Sequence, residues 1–482
     1  MIDNPTLTAQ TRFTGTLFER DDEGYENARI GRVFHSRYPD RFPPAVLMAE
    51  TENDIVEGVR LAKERGWKVG IRSGGHSFPV WGVRDDALLI DLGGYKEFSL
   101  DENTGVVSVT PSVQGGSELG VYLEQFGRFF PGGPCPTVGI GGFLLQGGMG
   151  WNHRGWGWAS EQVLAIDVVT ADGDLVRADA DQNSDLFWAA RGAGPGFCGV
   201  ITRFHLQTRP LPKALTGTMQ IYPVERYAEI LEWLSEAQKD IAPSVHLVAV
   251  SMNPQFEIPG HAGGYVFAVW GLAFCDTREE AEQALAPLAT APYCEHALIV
   301  NNAQPTTMQS EYEFVDVTHP KGFRYRVESA WVEGPYEKIA AAAQTLVMDR
   351  PSNEPGHTFF QYTLPHEGPD QAMSLMTEMM VGVYIIYSDA ADDEKYRQWS
   401  LGAMKHLEPY TKGQYWGDSD QQHRRVKCLS DDAWERLQVI RADRDPEGVF
   451  ADYLAGAGGY QNINEWETPD GVNLTNTMSQ PV

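Results

Sequence analysis

The amino-acid sequence predicts an α+β protein of more than one domain, and three observations carry that reading. The chain of 482 residues is longer than the roughly 100–200 residues of one domain. Of these residues 42 % are hydrophobic and 11 % aromatic, against 22 % charged, which supplies large apolar cores and argues against a disordered chain. Strand-like apolar runs alternate with helical patterns, but glycine is dense before Pro210–Pro212 and sparser after it. Prolines at such a change mark a boundary between domains.

Taken in order, residues 1–40 are polar and irregular, with a helix starting near Gly24. Beyond Pro43 and Pro44 an apolar run, Ala45 to Met48, precedes Thr51 to Asp54, which has the form of a capped helix start. Ile55, Val59 and Ala62 recur at helical spacing, Gly66 stops the helix, and Trp67 to Ile71 reads as a strand ending in a glycine loop. The opening is therefore β-α-β. Ala87 to Asp91 and Val106 to Val109 are strand-like, and Ser117 to Phe126 is a short helix. Val163 to Thr170 and Leu175–Val176 flank Asp172–Gly173, the signal of a hairpin. Ser184 to Arg191 is a helix capped by Ser184, and Gly192 to Gly199 leads into a strand from Val200 to Gln207.

Past the boundary, strand-like runs (Val245 to Ser251, Gly264 to Phe274, Phe359 to Thr363, Val381 to Tyr387) alternate with helical patterns (Val224 to Lys239, Arg278 to Leu288, Tyr336 to Met348, Asp392 to His406). This pattern predicts a sheet covered by helices on one face. A last helix, Asp431 to Asp443, ends before Asp445–Pro446. There is no internal repeat and no low-complexity tract.

The net charge of −28 opposes a nucleic-acid partner, which is held by clusters of basic residues. The N-terminus lacks the basic start and apolar run of a signal peptide, and no apolar stretch reaches about 18 residues; the expectation is a cytoplasmic protein without a membrane partner. Cys135, Cys198, Cys275, Cys294 and Cys428 show no zinc spacing and no disulfide framework.

Two loops carry the functional signal. The first, Arg72 to Phe78, ends a strand with paired glycines, which suit either an ordinary turn or a backbone cradle for a diphosphate, with Arg72 and Ser73 as added donors. His76, taken alone, fits a structural histidine. The second, Pro131 to Gly150, is so rich in glycine that no helix or strand explains it, and it keeps the backbone narrow for something large. Cys135, stiffly held between two prolines, is read either as a buried inert thiol or as a reactive one. No GxGxxG opens a helix after the first strand and no GxxxxGK[ST] is present, so nicotinamide and ATP enzymes are disfavoured.

RSGGHSF at 72–78, GGPCPTVGIGG at 132–142 with GGMG at 147–150, ADGDLV at 171–176, DLFWAARGAGPGFCGVIT at 185–202 and DPEGVF at 445–450 resemble the berberine-bridge-enzyme-like flavoprotein oxidases. These belong to the larger vanillyl-alcohol-oxidase and p-cresol-methylhydroxylase (PCMH) type of FAD protein. The resemblance runs along the whole chain and is strongest at about 45–207. It implies an FAD-binding domain of two α/β subdomains, residues 28–210 joined by 420–482, and a substrate domain, 211–419, with an antiparallel sheet covered by helices. It also implies FAD bound covalently at two points, His76 to the 8α-methyl and Cys135 to C6 of the flavin. Both links withdraw electron density from the ring and make it more oxidising. The diphosphate falls to Arg72, Ser73, Gly74, Gly75 and Ser77, with Gly139, Gly141, Gly142, Gly147 and Gly148 adding backbone contacts, and Val200 and Ile201 lie near the adenine end. Val138 matches a position where valine goes with oxygen reactivity, which favours an oxidase that makes hydrogen peroxide.

The segment Gly413 to Asp418 matches the place where many relatives carry a Y-x-N-Y motif. Tyr415 keeps the first tyrosine, whereas Gly417 and Asp418 replace the asparagine and the last tyrosine. Alcohol oxidation needs a base for the hydroxyl proton, and a buried carboxylate can be tuned for it; Asp418, assisted by Tyr415, is the candidate, against the alternative of a solvated turn. Phe143 departs from the histidine of plant relatives. Trp151, Trp156 and Trp158 either wall a flat pocket or pack in the core. Arg324, Glu328, His357, Tyr362, Tyr384 and Tyr387 are candidates to line the substrate domain's side of the site. The expected reaction is two-electron oxidation of an alcohol, or of a C–H beside O or N, in a small aromatic or polycyclic substrate, with oxygen as acceptor. A sugar oxidase, a dehydrogenase with another acceptor, and a flavin protein with a non-redox role are the alternatives.

Overall fold

The computed structural model describes residues 12–351, 355–424 and 426–454. Three main sheets organise it. A four-stranded sheet takes Thr16–Glu19, Ala45–Met48, Ala87–Asp91 and Lys68–Arg72 in that spatial order. The predicted opening strands, Ala45–Met48 and Lys68–Arg72, are both parallel to Ala87–Asp91, which lies between them; the β-α-β unit is real, but its strands are not neighbours. The helix Glu52–Arg65 starts as predicted in a capping box of Thr51 and Asp54, and ends at Gly66. Asp54 is wholly buried and also accepts from the N–H groups of Thr14 and Gly15, tying the first strand to this helix.

A five-stranded antiparallel sheet follows, in the order Phe98–Asp101, Val106–Val109, Val200–Gln207, Val163–Val169 and Leu175–Ala178. Its last two strands are the predicted hairpin, with Gly173 at φ +78°. The helix Ser184–Ala189 is preceded by Asn183, not Ser184, as its cap residue, because Asn183 takes the left-handed conformation and donates to the Arg177 carbonyl. The helix Asp431–Arg444 ends at Asp445, whose carboxylate accepts from the N–H groups of Val449 and Phe450. Phe450 then pairs with Val69. The last described residues are thus built into the first sheet.

The third sheet has eight strands, all antiparallel: Ile299–Pro305, Ala214–Pro223, Val266–Cys275, Val245–Met252, His357–Tyr362, Met379–Tyr387, Arg324–Val332 and Thr411–Gly413. Side chains alternate between its faces. Leu247, Ala249, Phe267, Val269, Phe360, Val381, Val383 and Ile385 pack under the helices Tyr227–Ala237, Arg278–Ala289, Tyr336–Ala342 and Asp393–Lys405 in one apolar core. A fully buried leucine or valine there contributes roughly 1.5–3 kcal/mol. The other face, with His246, Val248, Val250, Trp270, His357, Phe359 and Tyr384, meets the helix Met308–Thr318 near Trp270 and otherwise borders a cavity. The predicted helix Tyr336 to Met348 is broken at Ala343 into two pieces. Among the described residues, no helix is long and apolar enough to cross a membrane.

Candidate active site

The cavity, about 690 Å³ in volume, lies between the two glycine loops, the second face of the eight-stranded sheet and the helix Met308–Thr318. From the first loop come Arg72 to Phe78; from the second come Gly133, Pro134, Cys135, Val138, Gly139, Gly141, Gly142 and Phe143. Ile201 closes another side, and Tyr415 to Asp418 reach it from the segment after the last strand.

The loops are narrow partly because they touch each other. A Cβ on Gly74 would stand 2.5 Å from the Gly139 nitrogen, and one on Gly139 would stand 2.8 Å from the Gly74 Cα. Gly75, at φ +82°, packs on the Arg32 carbonyl in the same way. Gly142 is different: a side chain there would meet nothing closer than the Ser73 hydroxyl at 3.9 Å, and it borders the cavity. Among the described residues, no protein acceptor receives the backbone N–H groups of residues 73–77. Consecutive N–H groups on a cavity wall form a nest for an anion, and a diphosphate satisfies them. These residues fit the anionic middle of a dinucleotide such as FAD.

The Arg72 side chain is not part of that cradle. Its Nε donates to Asp91 and its other nitrogens to the carbonyls of Ala28 and Arg29, so it braces the end of the strand from behind. Ser73 uses its hydroxyl to accept from the Gly142 N–H at 3.3 Å, joining the two loops. Gly147, Gly148 and Val200 do not border the cavity; a side chain on Gly147 would strike Met373 and Trp158, and one on Gly148 would strike Ala159 and Phe143. Trp151, Trp156 and Trp158 also stand off the cavity, Trp151 wholly buried against Trp270 and His246.

His76 and Cys135 come together at the end of the loops. The Nε2 of His76 lies 3.1 Å from the Thr137 hydroxyl, and the Cys135 sulfur lies 4.0 Å from the same oxygen. The His76 ring stacks on Phe34 at 4.2 Å. Burial, followed by electrostatic repulsion from nearby His35 and Lys321, pushes the imidazole pKa down to about 3, so the ring is neutral. Burial pushes the Cys135 thiol up to about 11, with the Thr137 hydroxyl pulling weakly the other way.

Asp418 faces the cavity and is no solvated turn. Its carboxylate accepts a hydrogen bond from the Tyr384 hydroxyl, not from Tyr415, whose hydroxyl instead accepts from the Met149 N–H at 3.0 Å. Desolvation raises the Asp418 pKa to about 6 and the bond from Tyr384 lowers it. Tyr384 is stacked on His357 at 4.8 Å, and His319 meets both rings edge-on. The neighbours of Asp418 in sequence hold the loop: Ser419 bonds Ser329 at 2.8 Å, and Asp420 pairs with Arg326 and Arg37. Of the six side chains expected to line the substrate side, His357 and Tyr384 do so. Arg324 and Tyr387 are turned to Asp393, Glu328 lies near Arg424 at 3.5 Å, and Tyr362 is buried in the core under the helices. The sequence reading missed His246, Trp270, His319 and Thr137; only Thr137, inside the second loop, carried a local signal.

A glycine-rich backbone wall with free N–H groups, joined to a largely apolar chamber that holds a buried carboxylate, suits a dinucleotide cofactor beside a small-molecule substrate. Residues 43–179 match the FAD binding domain family. The chain is 36 % identical over 424 residues to FAD-linked oxidoreductase janO of Penicillium janthinellum, covering 86 % of this chain and 92 % of that protein. It is also 36 % identical over 202 residues to a carbohydrate oxidase of Microdochium nivale, but this covers 41 % of this chain and 39 % of that one. Among solved structures, 6-hydroxy-D-nicotine oxidase from Arthrobacter nicotinovorans superposes with a TM-score of 0.79 at 23 % identity, covering 94 % of this chain and 98 % of that one. Physcomitrella patens BBE-like 1 does so with a TM-score of 0.74 at 18 % identity, covering 93 % and 98 %. The chain belongs to the FAD-linked oxidoreductases.

Proposed function

We propose that the protein is an oxidase with FAD linked to both His76 and Cys135, acting on an alcohol, or on a C–H beside O or N, of a flat apolar molecule. The observation that carries this reading is the convergence on one cavity of His76, Cys135 and the Asp418–Tyr384 pair. When bound, FAD supplies the two-electron acceptor, and its reoxidation by oxygen yields hydrogen peroxide. The residues of the chain do the rest. Ser73 to Ser77 bind the diphosphate through backbone N–H groups. Ionised Asp418 takes the substrate's hydroxyl proton, and Tyr384 fixes the carboxylate while His357 backs the phenol ring. Val248, Val250, Trp270 and Phe359 exclude water and hold an apolar ring system against the site. Val138 on the cavity wall is consistent with access for oxygen.

The composition of the sheet face favours such a substrate over a sugar. A sugar leaves several hydroxyls to satisfy, and the aliphatic and aromatic side chains that dominate this wall offer them few partners besides His246, His357, Gln361 and Tyr384. The similarity to the carbohydrate oxidase is confined to about two-fifths of the chain, whereas that to the fungal oxidoreductase extends through the substrate domain. Denaturing the protein in acid and weighing it intact tests the links. The wild type is expected to keep one FAD, as are His76→Ala and Cys135→Ala singly, and the double variant to lose it. Anaerobic bleaching of the flavin across panels of aromatic alcohols, polycyclic alcohols and sugars, followed by peroxide measurement on admitting air, tests the reaction. Bleaching by sugars alone would replace this reading with the sugar oxidase. Slow reoxidation in air would replace it with a dehydrogenase.

A further inference from the structure

We infer that His246 and Gln361 form a specificity-determining pair that receives an uncharged hydroxyl at the end of the substrate remote from the carbon that is oxidised. This inference rests on the reading of the site as an oxidase of a flat apolar molecule, and it names a second polar group that such a molecule carries.

The sheet gives the chamber a direction. On the strand Val245–Met252 the side chains of His246, Val248, Val250 and Met252 share the cavity face. Met252 pairs with His357, which pairs with Tyr384, the partner of Asp418. The Asp418–Tyr384 pair therefore lies toward the Met252 end, where the exposed Phe256 and Val317 form a rim. From Met252 to His246 the strand runs about 20 Å at roughly 3.3 Å per residue. His246 is thus at the closed end. Gln361, on the neighbouring strand, pairs with Val248, which makes it the diagonal neighbour of His246 on the same face, roughly 7–8 Å away between backbones. Val248, Val250, Ala268, Trp270 and Phe359 supply apolar wall between the two ends.

Both polar side chains at the closed end are left incompletely paired. His246 is 3 % exposed and lies against Trp151 and Trp270 at 5.5 and 5.8 Å. Its Nδ1 is buried without a hydrogen-bond partner among the described residues. A half-turn about Cβ–Cγ exchanges Nδ1 with Cδ2 in the same space, so either ring edge can be presented to the chamber. Burial, with repulsion from His153 and Arg154, pushes the imidazole pKa down to about 3; the neutral ring has one donor and one acceptor. Arg154 spends its guanidinium on the carbonyls of Gln238, Ile241 and Ala242. The Gln361 amide donates to the carbonyls of Leu247 and Tyr362 at 3.4 and 3.2 Å, and its Oε1 has no donor among the described residues. A hydroxyl donates to that oxygen and accepts from the imidazole N–H. An apolar tip leaves both groups unpaired, and a carboxylate tip buries a charge with no counter-charge bordering it.

The test measures binding, a readout independent of turnover. Holoprotein reduced beforehand with dithionite is titrated under argon, by calorimetry, with biphenyl-4-methanol and trans-stilbene-4-methanol, each unsubstituted or bearing a 4′-hydroxyl or a 4′-carboxylate. On the better-fitting frame the wild type is expected to bind the 4′-hydroxyl compound at least tenfold tighter than the other two. His246→Phe and Gln361→Leu should each reduce that preference at least fivefold while binding the unsubstituted alcohol as well as wild type or better, a gain that general damage to the fold does not produce. A wild type without preference for the hydroxyl overturns the inference whether or not the variants fold, and so do folded variants that keep the preference. If either variant, free of ligand, shifts the flavin absorbance or reduction potential, the pair serves the flavin and the inference falls while the oxidase reading stands. If the wild type binds no member of either frame, the flat apolar reading falls and this inference with it.

Discussion

Asp418 and Asp420 are two residues apart on one loop, yet the fold gives them opposite electrostatic surroundings. Asp420 points into the protein, where burial pushes its carboxyl up but Arg37 and Arg326, with help from His423, more than offset this and hold it well below the usual range. Asp418 points to the cavity, where among the described residues Tyr384 is its hydrogen-bonding partner, and burial leaves its pKa near 6. The same side chain is a structural anchor in one place and a candidate base in the other. Neighbouring charge, not residue type, separates the two roles. A carboxylate locked between two arginines is too weak a base to take an alcohol proton, whereas one poised near neutral pH is suited to it.

Four experiments break or sharpen that contrast. The largest effect is expected from Asp418→Asn, which should slow anaerobic flavin reduction by substrate roughly 10²–10⁴-fold; a loss below tenfold in stopped flow would remove Asp418 from the base role. Asp420→Asn should instead act on stability, lowering it by about 3–5 kcal/mol because Arg326 and Arg37 are left without their buried partner. Urea unfolding followed by tryptophan fluorescence reads this out. Tyr384→Phe removes a hydrogen bond to a charged group, roughly 1.5–3 kcal/mol. It should shift the acid limb of the rate profile upward by about one to two pH units. In the unaltered protein that limb should lie near pH 6, with the rate falling about tenfold per unit below it as Asp418 is protonated.

The smallest effect is the pH dependence of stability, and its sign differs between the two residues. The folded pKa of Asp420 is depressed, so its contribution is present above the ordinary carboxylate pKa and is lost as pH falls through the folded value. The folded pKa of Asp418 is raised, so ionising it between about pH 4 and 6 costs stability. Asp418→Asn should therefore melt at or above the wild-type temperature at pH 7, and thermal scans at pH 5 and pH 7 measure the difference.

Features set by local chemistry were legible in the chain. Thr51 and Asp54 cap a helix, Asp172–Gly173 turns a hairpin, and the glycine loops face a ligand cavity, because each depends on residues a few positions apart. The strand Arg324–Val332 was missed for the opposite reason. Its Arg326 and Glu328 look solvent-exposed in the sequence, yet both are buried, with Arg326 neutralised by Asp420 and Glu328 set beside Arg424 from nearly a hundred residues away. The alternation of Tyr325, Val327, Ser329 and Trp331 was the available signal. The helix Met308–Thr318, which supplies Phe314 and Val315 to the cavity, has few buried positions of its own and so lacks a strong apolar stripe.

By itself the sequence determined the glycine loops and the FAD-linked family, since turn geometry and close backbone approach are written in contiguous residues. Only the tertiary structure decided that Asp418 meets Tyr384, that Arg72 braces a strand, and that Thr137 stands between His76 and Cys135. A pKa and a proton path depend on which groups lie within a few ångströms. Packing sets those distances by bringing distant segments together, and local propensity does not encode them.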